Sequence, residues 1–430
     1  MNQLLVIVKA KSPITAGGLR PYGMFITTRD YIPGSVLRGA VAVHWLRTNK
    51  GLYDRLFKSQ EAVLFGNCYP AQERRHACQP DYTLVLPATA RTCKHFPGFV
   101  SGFKLRVQEN PDLADLEMEP HGVFDTLIPQ LVYEAMAEEM PVAFDLRCQR
   151  ANCECSTEPL AGFYERVIQP FGTKPYTYRA VRARMHRLSH SAISRVTRTA
   201  KHGLLYSISA LSANNQFRGV VTVPAHLNLA QVEQALRIPR LGARVSSGAG
   251  EVEINVYRLP LSDPRCTLPP VSARIRAFND LLTEHWCDYH ALAGRPNALP
   301  SKPPDTYFVL TLQSDAILRT PAGTPTLEWN VSTLGGEEVQ LVRRWVSPRR
   351  VSGWNVAWGL PKAVDLACSA GSVFVYKWKG HLPTDETGAE KHPLVQALRE
   401  IELVGLGERR AEGFGRVLVC DPFHQEVTSV

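Results

Sequence analysis

The 430-residue chain lacks several features that mark whole classes of protein. No apolar run approaches the roughly 18 residues that a membrane-spanning helix needs. The first residues, MNQLLVIVK, alternate like a strand and do not form a charged region followed by a signal core. Ten cysteines are too few for a disulfide scaffold, and no GxSxG, HExxH, phosphate-loop or paired-carboxylate motif occurs. These absences predict a cytoplasmic protein that has no membrane partner and no recognisable catalytic centre.

A local absence is more informative, because residues 166–232 contain no Asp or Glu. This basic stretch carries ten of the 49 Lys and Arg residues, which leaves 39 basic against 40 acidic residues elsewhere, a net charge of −1. Charge concentrated in this way indicates a polyanion site, and neighbouring tyrosines could stack on unpaired bases. A solvated basic face is the alternative. The candidate RNA contacts in this stretch are Arg179, Arg182, Arg184, Arg187, Arg195, Arg198 and Lys201.

An internal repeat indicates how the chain is organised. Residues 241–252 read LGARVSSGAGEV and residues 406–417 read LGERRAEGFGRV, with six identities at a constant offset of 165. Each copy follows a helical pattern and leads into a strand pattern, and each unit opens with a strand that ends at Ser12 or Ser314. Strand, helix, strands, helix and strand is the ferredoxin-like order. We therefore predict an α+β protein with two ferredoxin-like (RRM-like) domains in tandem.

The domain boundaries follow from turn-rich segments. We assign residues 1–260 to the first domain, with a cysteine-bearing insertion at about 57–165 and the basic stretch at 166–232. Residues 261–304 form a linker with a helix near Val271–Leu292, and residues 305–430 form the second domain. Ser35 is expected to be the N-cap of the first helix.

The glycine loops are candidate phosphate contacts. Glycine can adopt left-handed turns that present N–H groups to an anion, and the adjacent arginines could pair with phosphates. The alternative is that these glycines only make tight turns. The candidates are Arg244, Gly248, Gly250, Arg409, Arg410, Gly413 and Gly415, with Arg349 and Arg350 in a second basic cluster beside tryptophans. These tryptophans could equally be core residues.

The cysteines of the insertion suggest a metal site. Cys148, Cys153 and Cys155 form a C-x4-C-x-C cluster, and Cys93 is the preferred fourth ligand, with His121 or His95 in reserve. Four Cys or His ligands in tetrahedral geometry are typical of structural zinc. The hypothesis is one structural zinc, and ordinary free thiols are the alternative.

Three segments resemble signatures of the RAMP superfamily of CRISPR-associated proteins, and the resemblance spans nearly the whole chain. They are SPITAGG from Ser12, YIPGSVLRG from Tyr31 and GERRAEGFGR from Gly407. Within this superfamily the chain is most similar to the two-domain RAMP subunit of type III-D effector complexes, which the segment HGVFDTL from His121 and the cysteine-bearing insertion support.

The resemblance implies a pair of RRM-like domains that bind CRISPR RNA near its 5′ handle, with Ser35 and Arg38 of the YIPGSVLRG segment among the contacts. Implied partners are the large polymerase-like subunit and the backbone RAMP subunits, and target RNA indirectly. We expect no enzymatic activity. The rival hypothesis is a metal-independent RAMP-type endoribonuclease that processes precursor CRISPR RNA; related enzymes use a histidine base, and no histidine of this sequence is singled out for that role. In backbone RAMP subunits that cleave target RNA, an Asp lies several residues before the IPGS motif, whereas Asp30 lies only two residues before Ile32, so we do not expect that activity here. A purely structural assembly subunit without RNA contact is the third possibility.

Overall fold

A computed structural model describes residues 1–17, 25–57, 62–72, 83–109, 112, 118–148, 150–168, 176–259, 268–295, 297, 299–355 and 359–427. For residues 26, 105, 109, 168 and 200–205 it describes the backbone alone. The start of the predicted linker, 261–267, and the side chain of Lys201 therefore lie outside the described residues.

The helices are α1 (Gly34–Thr48), α2 (Lys50–Phe57), α3 (Val100–Glu109), α4 (Leu127–Ala135), α5 (Leu229–Leu236), α6 (Val271–Leu292), α7 (Glu386–Lys391), α8 (Pro393–Val404) and α9 (Phe423–Glu426). The strands are β1 (Asn2–Ala10), β2 (Phe25–Ile26), β3 (Leu64–Phe65), β4 (Tyr69–Ala71), β5 (Thr83–Val85), β6 (Ala90–Cys93), β7 (Val123–Asp125), β8 (Thr157–Pro159), β9 (Phe163–Ile168), β10 (Tyr176–Val181), β11 (Met185–Ile193), β12 (Ala200–Leu211), β13 (Gln216–Val223), β14 (Val252–Leu259), β15 (Thr306–Leu312), β16 (Leu318–Arg319), β17 (Pro325–Thr326), β18 (Thr333–Leu334), β19 (Glu337–Trp345), β20 (Pro348–Val351), β21 (Trp354–Asn355), β22 (Leu360–Pro361), β23 (Asp365–Cys368), β24 (Val373–Trp378) and β25 (Val417–Val419). Mixed helices and mostly antiparallel sheets confirm the α+β class. Among the described residues, no helix has the length and apolar character to cross a membrane.

The first sheet is built around β1. Its Leu4, Val6 and Val8 are fully buried in one core with residues of α1 and α5, as expected for a strand that alternates between core and surface. β1 pairs antiparallel with β13 on one side and β14 on the other, and β13 also pairs with β3 and β4. The sheet order is β14-β1-β13-β3.

Helix α1 begins at Gly34, so the prediction that Ser35 is its N-cap is wrong. The preceding Pro33 provides no side-chain cap, and Asn67 Oδ1 instead accepts a hydrogen bond from the Gly34 N–H at 2.9 Å. A Cβ on Gly34 would lie 2.0 Å from the carbonyl oxygen of Phe65, which leaves room only for glycine. Ser35 lies partly buried in the first turn.

The second sheet is built around β15 in the order β18-β19-β24-β15-β25. Among the described residues no helix connects β15 to β19, and α6, which precedes β15, packs on the sheet through Ile275 and Phe278. Asn279 accepts from and donates to the backbone of Tyr307 at 2.8 Å. The predicted helix Val271–Leu292 is confirmed, and it belongs to the core of this sheet.

Two small sheets, β10-β9-β5 and β7-β6-β8, are formed by the insertion together with the start of the basic stretch, to which β10 and half of β9 belong. Helix α4 of the insertion buries Leu127 and Leu131 in the core of the second sheet. Tyr164 and Tyr178 of the strands β9 and β10 pack around Phe423 of the C-terminal helix α9. These elements, inserted between β3 and β13 of the first sheet, therefore pack mainly against the second sheet and the C-terminal helix α9.

Candidate functional site

The middle of the basic stretch forms a long antiparallel hairpin, β11–β12, which we call, together with the residues 182–184 that lead into it, the basic hairpin. Its tip, residues 194–199, is closed by hydrogen bonds of 2.9 Å from Ser194 N to Thr199 O and from Arg198 N to Ser194 O. Arg195 and Arg198 are exposed at this tip, on either side of Val196, which is 92% exposed. Arg182, Arg184 and Arg187 are exposed on the approach to β11 and on β11 itself.

Aromatic rings accompany these cations. Arg187 lies 4.6 Å from the centre of the half-exposed Phe25 ring. His190 stacks on Tyr206 with 5.1 Å between the ring centroids, and Arg244 of the first glycine loop lies 5.4 Å from the same tyrosine ring. The basic hairpin and the first glycine loop therefore share one surface on which cations and rings alternate, an arrangement that suits single-stranded nucleic acid.

These exposed arginines have no acidic partner within the ranges that the structure describes. Arg182, Arg184, Arg187, Arg195, Arg198 and Arg244 all lack one there. Other predicted contacts are neutralised: Arg179 donates to the buried Glu165 at 3.0 Å, and Arg349 lies 3.2 Å from Asp315. Arg409 pairs with Asp365 and Glu412 at 3.3 and 2.8 Å. Because each of these arginines is already paired with a carboxylate, it has little capacity left to bind a phosphate.

The remaining predicted contacts are scattered. Arg38 lies on α1 over the ring of Phe57 at 5.2 Å. Arg350 is exposed on β20, and Arg410 is exposed in the second glycine loop. The structure does not bring these three residues onto the basic hairpin, and the backbone of Lys201 lies in β12.

The two glycine loops share one backbone conformation, as their sequence identity predicts. Arg244 and Arg409 both adopt the left-handed region, with φ of 62° and 55°, and a single 3₁₀ turn follows each. Gly248 and Gly413 end these turns with φ of 88° and 94°. Six identities at a fixed offset therefore mark a repeated three-dimensional motif.

Their amides are used internally. Gly250 N donates to Pro13 O at 2.9 Å, and Gly415 N donates to Asp315 O at 2.8 Å. A Cβ on Gly415 would lie 1.8 Å from Leu406 O. At these two positions glycine is required by close backbone packing, and their N–H groups are not available to an anion.

The environments of the two loops differ. In the second loop a Cβ on Gly413 would lie 2.8 Å from Asn67 Oδ1 and 2.9 Å from Phe65 O, because the loop packs on the start of α1. In the first loop a Cβ on Gly248 meets no described atom within 4 Å. One copy is an internal contact between the units, and the other is open to solvent.

A cysteine and histidine cluster lies in the insertion. The ligand atoms of Cys93, His121, Cys148 and Cys153 all lie within 4.8 Å of one another. Three predicted ligands are thus brought together, and His121, held in reserve, takes the place given to Cys155, whereas His95 is not part of the cluster. Three thiols and one imidazole are a donor set that suits zinc, so the cluster could bind a metal ion.

The thiols of this cluster differ in acidity. Burial raises the pKa of Cys148 to about 11, whereas the backbone N–H of Cys155 lowers the pKa of Cys153. Contact with the Cys153 thiol raises the pKa of Cys155 to about 11. Cys155 is therefore a neighbour of the cluster, and its carbonyl also accepts a hydrogen bond from Cys148 N at 2.9 Å.

A buried polar network escaped the sequence reasoning. His424 Nδ1 lies 2.7 Å from Asp125 Oδ2, and its Nε2 lies 2.9 Å from Thr311 Oγ1. Burial, which disfavours a charged ring, is outweighed by Asp125 and Asp421, so the pKa of His424 is raised. All of these side chains are buried, so the Asp-His-Thr arrangement joins the insertion to the second sheet and is closed to a substrate.

No family model and no curated protein matches this chain. Among solved structures, it is similar to a chain of the apo type III-B Cmr-beta complex, with 13% identity and a TM-score of 0.30 over 60% of this chain and 97% of that one. A chain of type III-B Cmr-beta bound to cognate target RNA and AMPPnP gives 11% identity and a TM-score of 0.32 over 86% of each chain. A chain of a type IV-B CRISPR complex gives 13% identity and a TM-score of 0.23 over 62% of this chain and 94% of that one. The structural neighbours are thus CRISPR complex chains, at TM-scores too low to carry an argument about function.

Proposed function

We propose that this chain is a non-catalytic RNA-binding subunit of a type III CRISPR RNA-guided interference complex, and that it holds the guide RNA near its 5′ handle. The observation that carries the RNA-binding part is the basic hairpin, whose arginines at positions 182, 184, 187, 195 and 198 have no carboxylate partner among the described residues. The resemblance of the SPITAGG, YIPGSVLRG and glycine-loop segments to the RAMP superfamily supports the assignment to such a complex.

The architecture proposed with this function is a pair of ferredoxin-like, RRM-like units. If the strands of each unit are numbered along the chain, β14-β1-β13-β3 and β25-β15-β24-β19 both have the order 4-1-3-2, with antiparallel neighbours. In the second unit α6 covers the sheet where a helix between the first two strands is absent from the described residues. The boundaries 1–260, 261–304 and 305–430 stay predictions.

The hairpin tip provides the test of RNA binding. Arg195→Gln with Arg198→Gln removes two exposed charges, whereas the control Lys391→Gln with Arg399→Gln removes two exposed charges from the second unit. For single-stranded RNA each lost phosphate contact is worth about fivefold in affinity at ~0.1 M salt, so the tip variant should bind about 25-fold more weakly. Its salt slope should fall by about 1.4, and the control should change neither quantity.

The measurement is fluorescence anisotropy with RNA that co-purifies with the chain, resynthesised as a labelled single strand. Equal affinities for the tip variant, the control and the wild type would contradict RNA binding by the hairpin. A second assay distinguishes RNA binding from the rival endoribonuclease function. The isolated chain is incubated with a longer RNA, the repeat-containing precursor of the same guide. Site-specific cleavage that is lost on substitution of His186 or His190 would favour the endoribonuclease.

The proposed cofactor is one structural zinc held by Cys93, His121, Cys148 and Cys153. The sheet β7-β6-β8 has strands of three or four residues, which bury too little surface to be stable alone. A metal that ties β6 to the 121 and 148–153 segments would supply that stability. Metal analysis of the purified chain should give about one equivalent of zinc, and less than about half an equivalent would contradict the site.

A further inference from the structure

The second glycine loop shows what a loop of this kind binds. Its edge at Glu412 and Gly413 packs on the turn that opens α1, where a Cβ on Gly34 would lie 3.0 Å from Glu412 O and a Cβ on Gly413 would lie 3.2 Å from Gly34 Cα. Arg416 at the end of the loop donates to Thr222 Oγ1 at 2.9 Å across the same interface. Two glycines that face each other without side chains permit this close approach of two backbones.

Among the described residues, the first loop presents the same edge without that neighbour. Ser247 and Gly248 correspond to Glu412 and Gly413 at the offset of 165, and the backbone angles at Gly248 and Gly413 differ by less than 10°. Ser246, Ser247 and Gly248 are exposed within the described part of the chain. The loop is nevertheless anchored from behind as firmly as the second, because Ala243 N donates to Thr15 O and Glu251 N donates to Ser12 Oγ, each at 2.9 Å.

The identity of the missing neighbour is limited by the chain itself. A second copy cannot supply the glycine turn, since its Gly34 is already covered by its own Gly413. The partner of the first loop must also differ in one polar contact from the surface that the second loop packs on. Where the second loop carries Arg416, the first carries the exposed Glu251, so the partner is expected to present a hydrogen-bond donor there instead of the threonine hydroxyl of residue 222.

We propose that the edge 246–248 of the first loop docks a different protein subunit, through a glycine turn that opens a helix in that subunit. The contact is heterologous and head-to-tail, and it repeats between two proteins the interface that this chain forms between its own two units. It rests on the assembly part of the proposed function and is independent of RNA binding. Arg244 lies over Tyr206 on the basic hairpin, so one loop serves two partners: its arginine faces the cationic surface, and its 3₁₀ turn faces the subunit.

The test places a photo-crosslinking amino acid at Ser246 in the full chain, expressed in its native host, with Thr387 of α7 as an exposed control position. After irradiation of the purified assembly, peptide mapping should join position 246 to another protein at a glycine turn that begins a helix, and position 387 should not give that product. Crosslinks from position 246 to RNA alone, to this chain alone or to no protein would overturn the proposal.

A steric variant provides a second readout. Ser246→Trp should lower the content of the mapped partner in the assembly at least tenfold, whereas Thr387→Trp should leave it unchanged. Retention of the partner in the Ser246→Trp assembly would also overturn the proposal. The Arg195 and Arg198 variant separates this proposal from the RNA-binding one, because it should lose RNA in binding assays while position 246 still crosslinks to the subunit.

Discussion

Alanine at Gly413 and at Gly248 measures how much the contact between the two units contributes. The two glycines occupy equivalent places in the repeat, with φ of 94° and 88°, so the strain of a left-handed alanine, about 1–2 kcal/mol, is common to both variants. Only the surroundings differ. The new Cβ at 413 meets Asn67 Oδ1 at 2.8 Å and Phe65 O at 2.9 Å, whereas the new Cβ at 248 meets no described atom within 4 Å.

The overlap at 413 adds a cost of about 1–3 kcal/mol, as overpacking of a close contact does. Hydrogen exchange is the appropriate assay, because the Gly34 N–H that donates to Asn67 lies inside the contact and reports its local opening. Gly413→Ala should speed exchange in the first turn of α1 by about five- to 160-fold relative to Gly248→Ala. Equal exchange in the two variants would refute the reasoning that this loop holds the units together.

Two further predictions concern the insertion. Because the pKa of His424 is raised, its stabilising contribution is complete below the unfolded pKa of about 6.5 and is lost as the pH rises through the folded value. Protection of β7 and α9 amides, corrected for intrinsic exchange, should therefore fall with rising pH in the wild type and change less in His424→Gln; parallel profiles would contradict this. Cys148→Ser should reduce bound zinc to background and lower protection in β6, with Cys287→Ser, an exposed cysteine outside the cluster, as control; a zinc content equal to that of the control would exclude Cys148 as a ligand.

The glycine loops were predictable from sequence because their conformation is local. Left-handed φ occurs at Arg244 and Arg409, and at the glycines that follow, in both twelve-residue copies. The use of the amides was not predictable, because Gly250 donates to Pro13 and Gly415 to Asp315, acceptors at least 100 residues away. Sequence identity therefore identified the turn but not the backbone carbonyls that accept hydrogen bonds from its amides.

The charges show the same limit. The acid-free stretch predicted an unneutralised basic surface, and this description fits the hairpin because its two strands pair with each other and bring in no distant acidic side chain. Arg179 lies on β10, which pairs with β9, and there Glu165, the last acidic residue before the stretch, lies directly opposite. Local composition therefore predicts an unneutralised surface only where both paired strands lie inside the acid-free stretch.

The metal cluster contains ligands that sequence spacing reveals and one that only the folded structure brings in. The C-x4-C-x-C pattern singled out Cys148 and Cys153, which both lie in the cluster. The third cysteine of the pattern, Cys155, accepts a hydrogen bond from Cys148 N through its carbonyl, while the pairing of β6 with β7 places the 121 segment beside Cys93. His121 belongs to the cluster and Cys155 is its neighbour, and the choice between these two residues as fourth ligand could be made only once the strand pairings were known.

The two glycine loops differ in what they contact, and this difference indicates which loop serves folding and which is left exposed. In the second copy Arg409 forms ion pairs with Asp365 and Glu412, Gly413 packs on the start of α1, and Arg416 donates a hydrogen bond to Thr222. The geometry of this loop therefore serves folding. In the first copy the same geometry is retained although Arg244 has no carboxylate partner among the described residues and Gly248 packs on none of them. A strained left-handed arginine that stabilises no internal contact of this kind costs folding free energy. The two proposed external partners, RNA at the arginine and a protein subunit at the turn, would offset this cost.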